Sequence, residues 1–293
     1  MKYAFILFAM FLLASCMKDE IPVPKHTAGN PVENTINLET DYRYQAYYDF
    51  ETNQFVKQHE KTAWDLGFEA REFGNSIVLN TSKSMAASKT APGTVFTDVL
   101  DESDATWAFD ASSGNMDSTA IGDWITYGGI YILDLGYSYD GTHQGYRKAE
   151  FTELSSNEYE IHYANLDGAN EQTHTIQKDA EYNFTFFSFQ SDAVVSIAPP
   201  KEDWDIVFGQ YAHLFDPTFP YLVTGVLSNR NMVEVAEVFD KSFGDIDFAD
   251  ISEYTFSTDI DIIGYDWKTY VGGSFTTHPD KNYIVKTLSL IHS

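Results

Sequence analysis

Cys16 is the only cysteine in 293 residues, and its neighbours decide what its thiol can do. It follows Leu13-Ala14-Ser15, which close a segment with one positive charge, Lys2, and an apolar run from Tyr3 to Leu13. That is the layout of a secretory signal peptide. Small residues before a cysteine match a bacterial lipobox, where a signal peptidase cuts before the cysteine and a lipid is attached to its sulfur. The apolar run is far short of the roughly 20 residues that a spanning helix needs. Residues 1–15 are therefore expected to be a lipoprotein signal peptide, with Cys16 lipidated and a soluble body behind it. No thiol then remains for catalysis or for an intramolecular disulfide, so the fold must rest on its core alone.

Other chemistry is sparse. The chain has no Gly-x-x-x-x-Gly-Lys phosphate loop, no His-Glu-x-x-His zinc motif and no Gly-x-Ser-x-Gly nucleophile elbow. Nothing marks it as an enzyme. The acidic runs Asp245-Ile246-Asp247 with Asp250, and Asp259-Ile260-Asp261, lack EF-hand spacing and read as solvated acidic faces. The net charge is −26, and loss of Lys2 with the signal peptide makes it −27. Such a body repels nucleic acid, whose binders cluster Lys and Arg. It is also repelled by an anionic membrane surface, so lipid rather than charge would hold it there.

The elements that must position any site are mostly strands. Residues 16–33 read as a lipidated tether, with Pro22, Pro24 and Pro31 resisting packing. Beyond it, 22 Phe, 19 Tyr and 5 Trp favour sheets over helices. Short aromatic or β-branched runs are expected as strands over 44–50, 76–80, 94–100, 124–135, 146–154, 159–164, 183–189, 194–197, 204–211, 221–227 and 283–291. Asn165-Leu166-Asp167-Gly168 reads as a hairpin turn, and 243–254 as one short acidic helix.

The chain also repeats itself. Trp64-Asp65-Leu66-Gly67-Phe68 returns as Trp204-Asp205-Ile206-Val207-Phe208, each after an aromatic strand, Tyr47-Tyr48-Asp49-Phe50 or Phe186-Phe187-Ser188-Phe189. Ile121-Gly122-Asp123-Trp124 is echoed by Ile263-Gly264-Tyr265-Asp266-Trp267. Four matched features in one order point to two related, mostly antiparallel β units, 34–155 and 156–293. Trp and Phe of each motif are expected to anchor a core, and Asp65 and Asp205 to cap a turn or accept backbone hydrogen bonds.

Two resemblances follow. Cys16-Met17-Lys18-Asp19-Glu20 resembles the Lys-Asp-Glu export signal of Bacteroidetes lipoproteins, which implies transport through the outer membrane to the cell surface. The lipobox, the aromatic strand followed by Trp-Asp-Leu/Ile-x-Phe, and the later Tyr131-Ile132-Leu133 and Tyr283-Ile284-Val285-Lys286 strands together resemble the HmuY family of haem-binding surface lipoproteins, in its longer form. This resemblance implies an all-β protein that captures haem and passes it to a TonB-dependent outer-membrane receptor. It also implies axial ligands drawn from His or Met.

His143, in the loop Asp140-Gly141-Thr142-His143-Gln144-Gly145, resembles the family's Gly-His-Gln ligand loop, with Thr142 intervening. His174, 31 residues on, is its expected partner. His162, His213 and His278 are weaker candidates, as are Met85, Met116 and Met232. Arg147, Lys148, Arg230 and Lys268 are the cations available to haem propionates. The alternative is a surface lipoprotein that keeps the β fold without haem and binds carbohydrate or serves a structural role. A degenerate surface hydrolase is a further alternative.

Overall fold

Aromatic and β-branched runs lack the spacing of a helix face and pair into sheets instead. A computed structural model of the protein describes residues 29–216 and 219–287. The signal segment, Cys16 and the tether up to residue 28 lie outside the described residues. The strands run in the order β1 (Tyr44–Asp49), β2 (Gln54–Glu60), β3 (Leu66–Glu69), β4 (Ile77–Leu79), β5 (Ala86–Lys89), β6 (Tyr131–Asp134), β7 (Tyr146–Ser155), β8 (Glu158–Ala164) and β9 (Gln172–Gln177). They continue with β10 (Phe184–Ser188), β11 (Ala193–Val195), β12 (Ile206–Asp216), β13 (Phe219–Ser228), β14 (Glu234–Val238), β15 (Lys268–Val271), β16 (Ser274–Thr277) and β17 (Asn282–Lys286). A single α-helical turn, α1 (Trp124–Tyr127), precedes β6. The fold is all-β, and every described strand pair is antiparallel.

The sheets interleave the two Trp-Asp stretches. One has the order β13-β12-β1-β2 and another β4-β3-β10-β11. In each, the aromatic strand preceding one motif pairs with the strand carrying the other motif. Tyr48 pairs with Ile206, and Phe187 pairs with Leu66. The described residues from Val32 onward form one compact unit. The third large sheet, β5-β6-β7-β8-β9, extends the first motif's core, while β14-β17 and β15-β16 are two-stranded.

Each motif is fixed by the same hydrogen bonds. The Asp65 carboxylate accepts Phe189 N at 2.7 Å, and the Asp205 carboxylate accepts Phe50 N at 2.8 Å. The Asn80 amide donates to the carbonyls of Lys61 and Trp64, and the Asn229 amide to those of Lys201 and Trp204, all at 2.7–2.8 Å. Buried carbonyls must find donors, and an asparagine at this corner supplies two at once. Leu66 and Phe68 sit fully buried in the larger core with Ile121, Phe187 and Ile161. Ile206, Tyr48, Val226 and Ile263 form the smaller one. The Trp64 ring lies outside the larger core and packs edge-on against Phe186, as Trp204 does against Tyr47.

Some expected elements differ. Residues 94–100 form no strand: Pro92-Gly93 breaks the chain, and the Asp98 carboxylate folds back onto Val95 N. The run 124–135 divides because Asp123 caps α1 and Gly128, at φ +56°, ends it in the left-handed region. Residues 243–254 hold two 3₁₀ turns, Phe243–Asp245 and Phe248–Glu253, the second closed by an Asp247/Asp250 capping box.

Candidate ligand site

His143 lies in the turn between β6 and β7, where Tyr137 and His143 form an isolated bridge. Its Nε2 is 2.7 Å from the Asp134 carboxylate, and its Nδ1 accepts Gly145 N at 3.3 Å. The ring packs against Tyr137 and Tyr146, and Tyr146 stacks on Trp107. Both imidazole nitrogens are therefore engaged.

His174 lies on β9, the edge strand of the same sheet. Its Nε2 is 2.6 Å from the Asp192 carboxylate. The Tyr163 hydroxyl donates to the same oxygen. Together Tyr163 first and His174 second hold the Asp192 carboxyl below its ordinary range. Asp192 sits at φ +53°, a left-handed conformation that a non-glycine residue adopts at some cost. The His174 ring lies parallel to Tyr163 and 5.2 Å from Phe187. Its Nδ1 makes no hydrogen bond among the described residues. A carboxylate on one ring nitrogen, with the other left open, is the arrangement that orients a metal-binding imidazole.

Both histidines lie toward one end of the five-stranded sheet, but on opposite faces. Asp134 pairs with Tyr146, and Lys148 with Ala164, which puts the residues holding His143 on one face. Tyr163 belongs to the other face, as does Ile161, which pairs with His174.

The remaining candidates are spoken for in other ways. His162 stacks on Phe96 and touches Glu150 and Glu171 at 2.7 and 2.8 Å. Burial alone would lower its pKa, but the two carboxylates outweigh it and raise the value. His278 meets Thr269 Oγ1 at 2.6 Å. His59 belongs to β2 rather than a loop, and burial pushes its pKa down to about 4. His213 points its Nδ1 at Asp261, 3.7 Å away, without a hydrogen bond. Met85 is buried in the core, whereas Met232 is exposed. Among the described residues no three His, Cys, Asp or Glu side chains gather as a metal site.

Of the expected cations, Lys148 is fully buried and donates to Asp98 O, and Arg230 donates to Gly114 O beneath Phe184. Arg147 stays at the sheet end, within electrostatic reach of Tyr163. Lys268 belongs to a second region that sequence reasoning did not assemble. It sits in a cleft of about 570 Å³ walled by Phe215, Tyr221, Tyr265, Tyr270 and Phe275. The signal was present in the aromatics of 215–275, but their convergence needs the pairing of β12 with β13 and of β15 with β16.

No curated protein and no solved structure matches the chain. The family model described as HmuY protein matches residues 41–183, a span that contains β1–β9, His143 and His174 and, of the aromatic cleft, only Tyr42. Over that span, the chain belongs to the HmuY family, which at the family level comprises haem-binding surface proteins.

Proposed function

We propose that this protein is a cell-surface lipoprotein that captures haem, or a related tetrapyrrole, and hands it to a TonB-dependent outer-membrane receptor. One observation carries the reading beyond the family match. His174 is oriented by an Asp192–Tyr163 pair and presents its other ring nitrogen at an edge strand, flanked by Tyr163 and Phe187. Haem would supply an iron whose axial positions take neutral imidazole nitrogen. His174 fits that role as it stands. His143 fits only after the turn between β6 and β7 releases Asp134 and Gly145, because both its nitrogens are occupied and it faces the other side of the sheet. Arg147 is the cation placed to meet a propionate. The role is binding rather than catalysis, with Cys16 as the lipid anchor.

Titration of the full chain with haemin, followed by absorbance in the oxidised and reduced states, tests this. The expected result is a saturable Soret shift near one equivalent. A flat titration from a protein with β-sheet circular dichroism contradicts it.

A further inference from the structure

The cleft between the edge of β13 and the β15–β16 hairpin is lined, Tyr42 apart, by residues beyond the family-matched segment, and neither His143 nor His174 lines it. Its walls are unusual for a surface. Phe215, Tyr221, Tyr270 and Phe275 are 57, 58, 63 and 51% exposed. Large aromatics gathered at a surface mark a binding region, whereas scattered single ones need no explanation. Its volume of about 570 Å³ falls within the roughly 300–1,000 Å³ of small-ligand sites.

The cleft also holds a positive charge. Lys268 donates one proton to Thr224 O at 2.5 Å, and its ammonium lies 3.9 Å from the Trp267 ring centre. No carboxylate pairs with it among the described residues. Asp266, the acidic residue on the cleft wall, is bound to Lys281 at 2.6 Å. Burial lowers the Lys268 pKa, with no opposing carboxylate. An ammonium has three donors, so Lys268 has two to offer. Lys61, Lys148 and Arg230 are likewise held by carbonyl or amide oxygens rather than by a carboxylate, but Lys268 is the one that stands on the wall of this aromatic cleft. Beyond a screening length of about 8 Å at physiological salt, the global negative charge is muted and the local cation governs.

We propose that this cleft binds a ring-bearing organic carboxylate of the acidic-sugar class. The sugar ring stacks on the Tyr270 and Phe275 side, and its carboxylate takes the free donors of Lys268. The chemistry is recognition alone, with no bond made or broken. It is independent of haem capture, because none of its residues touches His174.

Isothermal titration of the full chain with a disaccharide carrying one hexuronic acid, beside the matching neutral disaccharide, tests the assignment. The expected result is saturable binding of the acidic sugar, at least tenfold weaker for the neutral one. Lys268→Gln is expected to erase that preference, and Phe275→Ala to weaken both sugars. Tyr270 and Phe275 are exposed, so their variants fold, as circular dichroism would verify. His174→Ala is expected to leave sugar binding unchanged, which separates this site from haem capture. Absence of acidic-sugar binding, equal binding of both sugars, or wild-type binding by Lys268→Gln overturns the proposal.

Discussion

The two Trp-Asp corners share a backbone plan and differ in how the buried carboxylate is neutralised. Asp65 receives the ammonium of Lys83, and both side chains are almost wholly buried. Asp205 has the same backbone donor geometry but no lysine. Three positions after the asparagine of each corner stand Lys83 and Met232, and Met232 is exposed. Burial accordingly pushes the Asp205 carboxyl up to about 6. The tryptophans diverge in parallel. Trp64 Nε1 donates to Gln45 Oε1 at 3.2 Å, whereas Trp204 Nε1 has no partner among the described residues, and Phe184 stands at the place equivalent to Gln45. The first corner is fully satisfied and supports the sheet that carries His143 and His174. The second leaves the Trp204 indole N–H unmet and leads into β12, in the four-stranded sheet whose β13 edge borders the aromatic cleft. The same backbone can thus be held with or without its ion pair, and we infer that the two stretches are copies that drifted apart in their side chains.

The largest expected effect comes from making the first corner resemble the second. Lys83→Met strands a buried carboxylate and is expected to cost about 3–5 kcal/mol in urea unfolding. Met232→Leu, at the exposed equivalent, should change stability by less than about 0.5 kcal/mol. Equal costs for the two would break the comparison. Next come Asn80→Ala and Asn229→Ala. Each strands two carbonyls and should cost about 2–3 kcal/mol by the same unfolding measurement. A large cost at one and none at the other would show that the corners are not equivalently built.

The smallest effect is on pH dependence. A folded carboxyl raised to about 6 holds its proton more tightly than the unfolded chain does, near 3.9. Stability is therefore lost as pH rises from about 4 to 6, and Asp110, also pushed up to about 6 by burial, adds in the same direction. Asp205→Asn keeps an acceptor for Phe50 N and removes this corner's share. Thermal unfolding across pH 4–7 should show a slope flatter by about 1–2 kcal/mol than in the parent chain. An unchanged slope would mean that Asp205 is ionised throughout.

Much of this was legible in the sequence because repeats and aromatic strands are local patterns. The strands at Tyr44, Tyr146, Tyr159 and Phe184 stand where their residue types place them. The backbone-capping role of Asp65 and Asp205 follows from an acidic residue set between core aromatics. β2 and β9 were not visible, since each is an edge strand whose polar residues, Gln54 and Gln58 in one and Gln172, Thr173, Thr175 and Gln177 in the other, face solvent. The exchange of partners between corners was also hidden, because spacing along a chain does not say which strand pairs with which. For the same reason the sequence brings His174 to His143 only by a separation of 31 residues, while sheet register sets His174 and the residues holding His143 on opposite faces.

The most direct test of the central claim, that His174 anchors the captured tetrapyrrole, is a haemin titration of the full chain comparing His174→Ala, Asp192→Asn and His143→Ala. His174→Ala should abolish the saturable Soret shift, and Asp192→Asn should weaken it about 10–100-fold. His143→Ala should weaken it least. Undiminished haemin binding by His174→Ala would contradict the account.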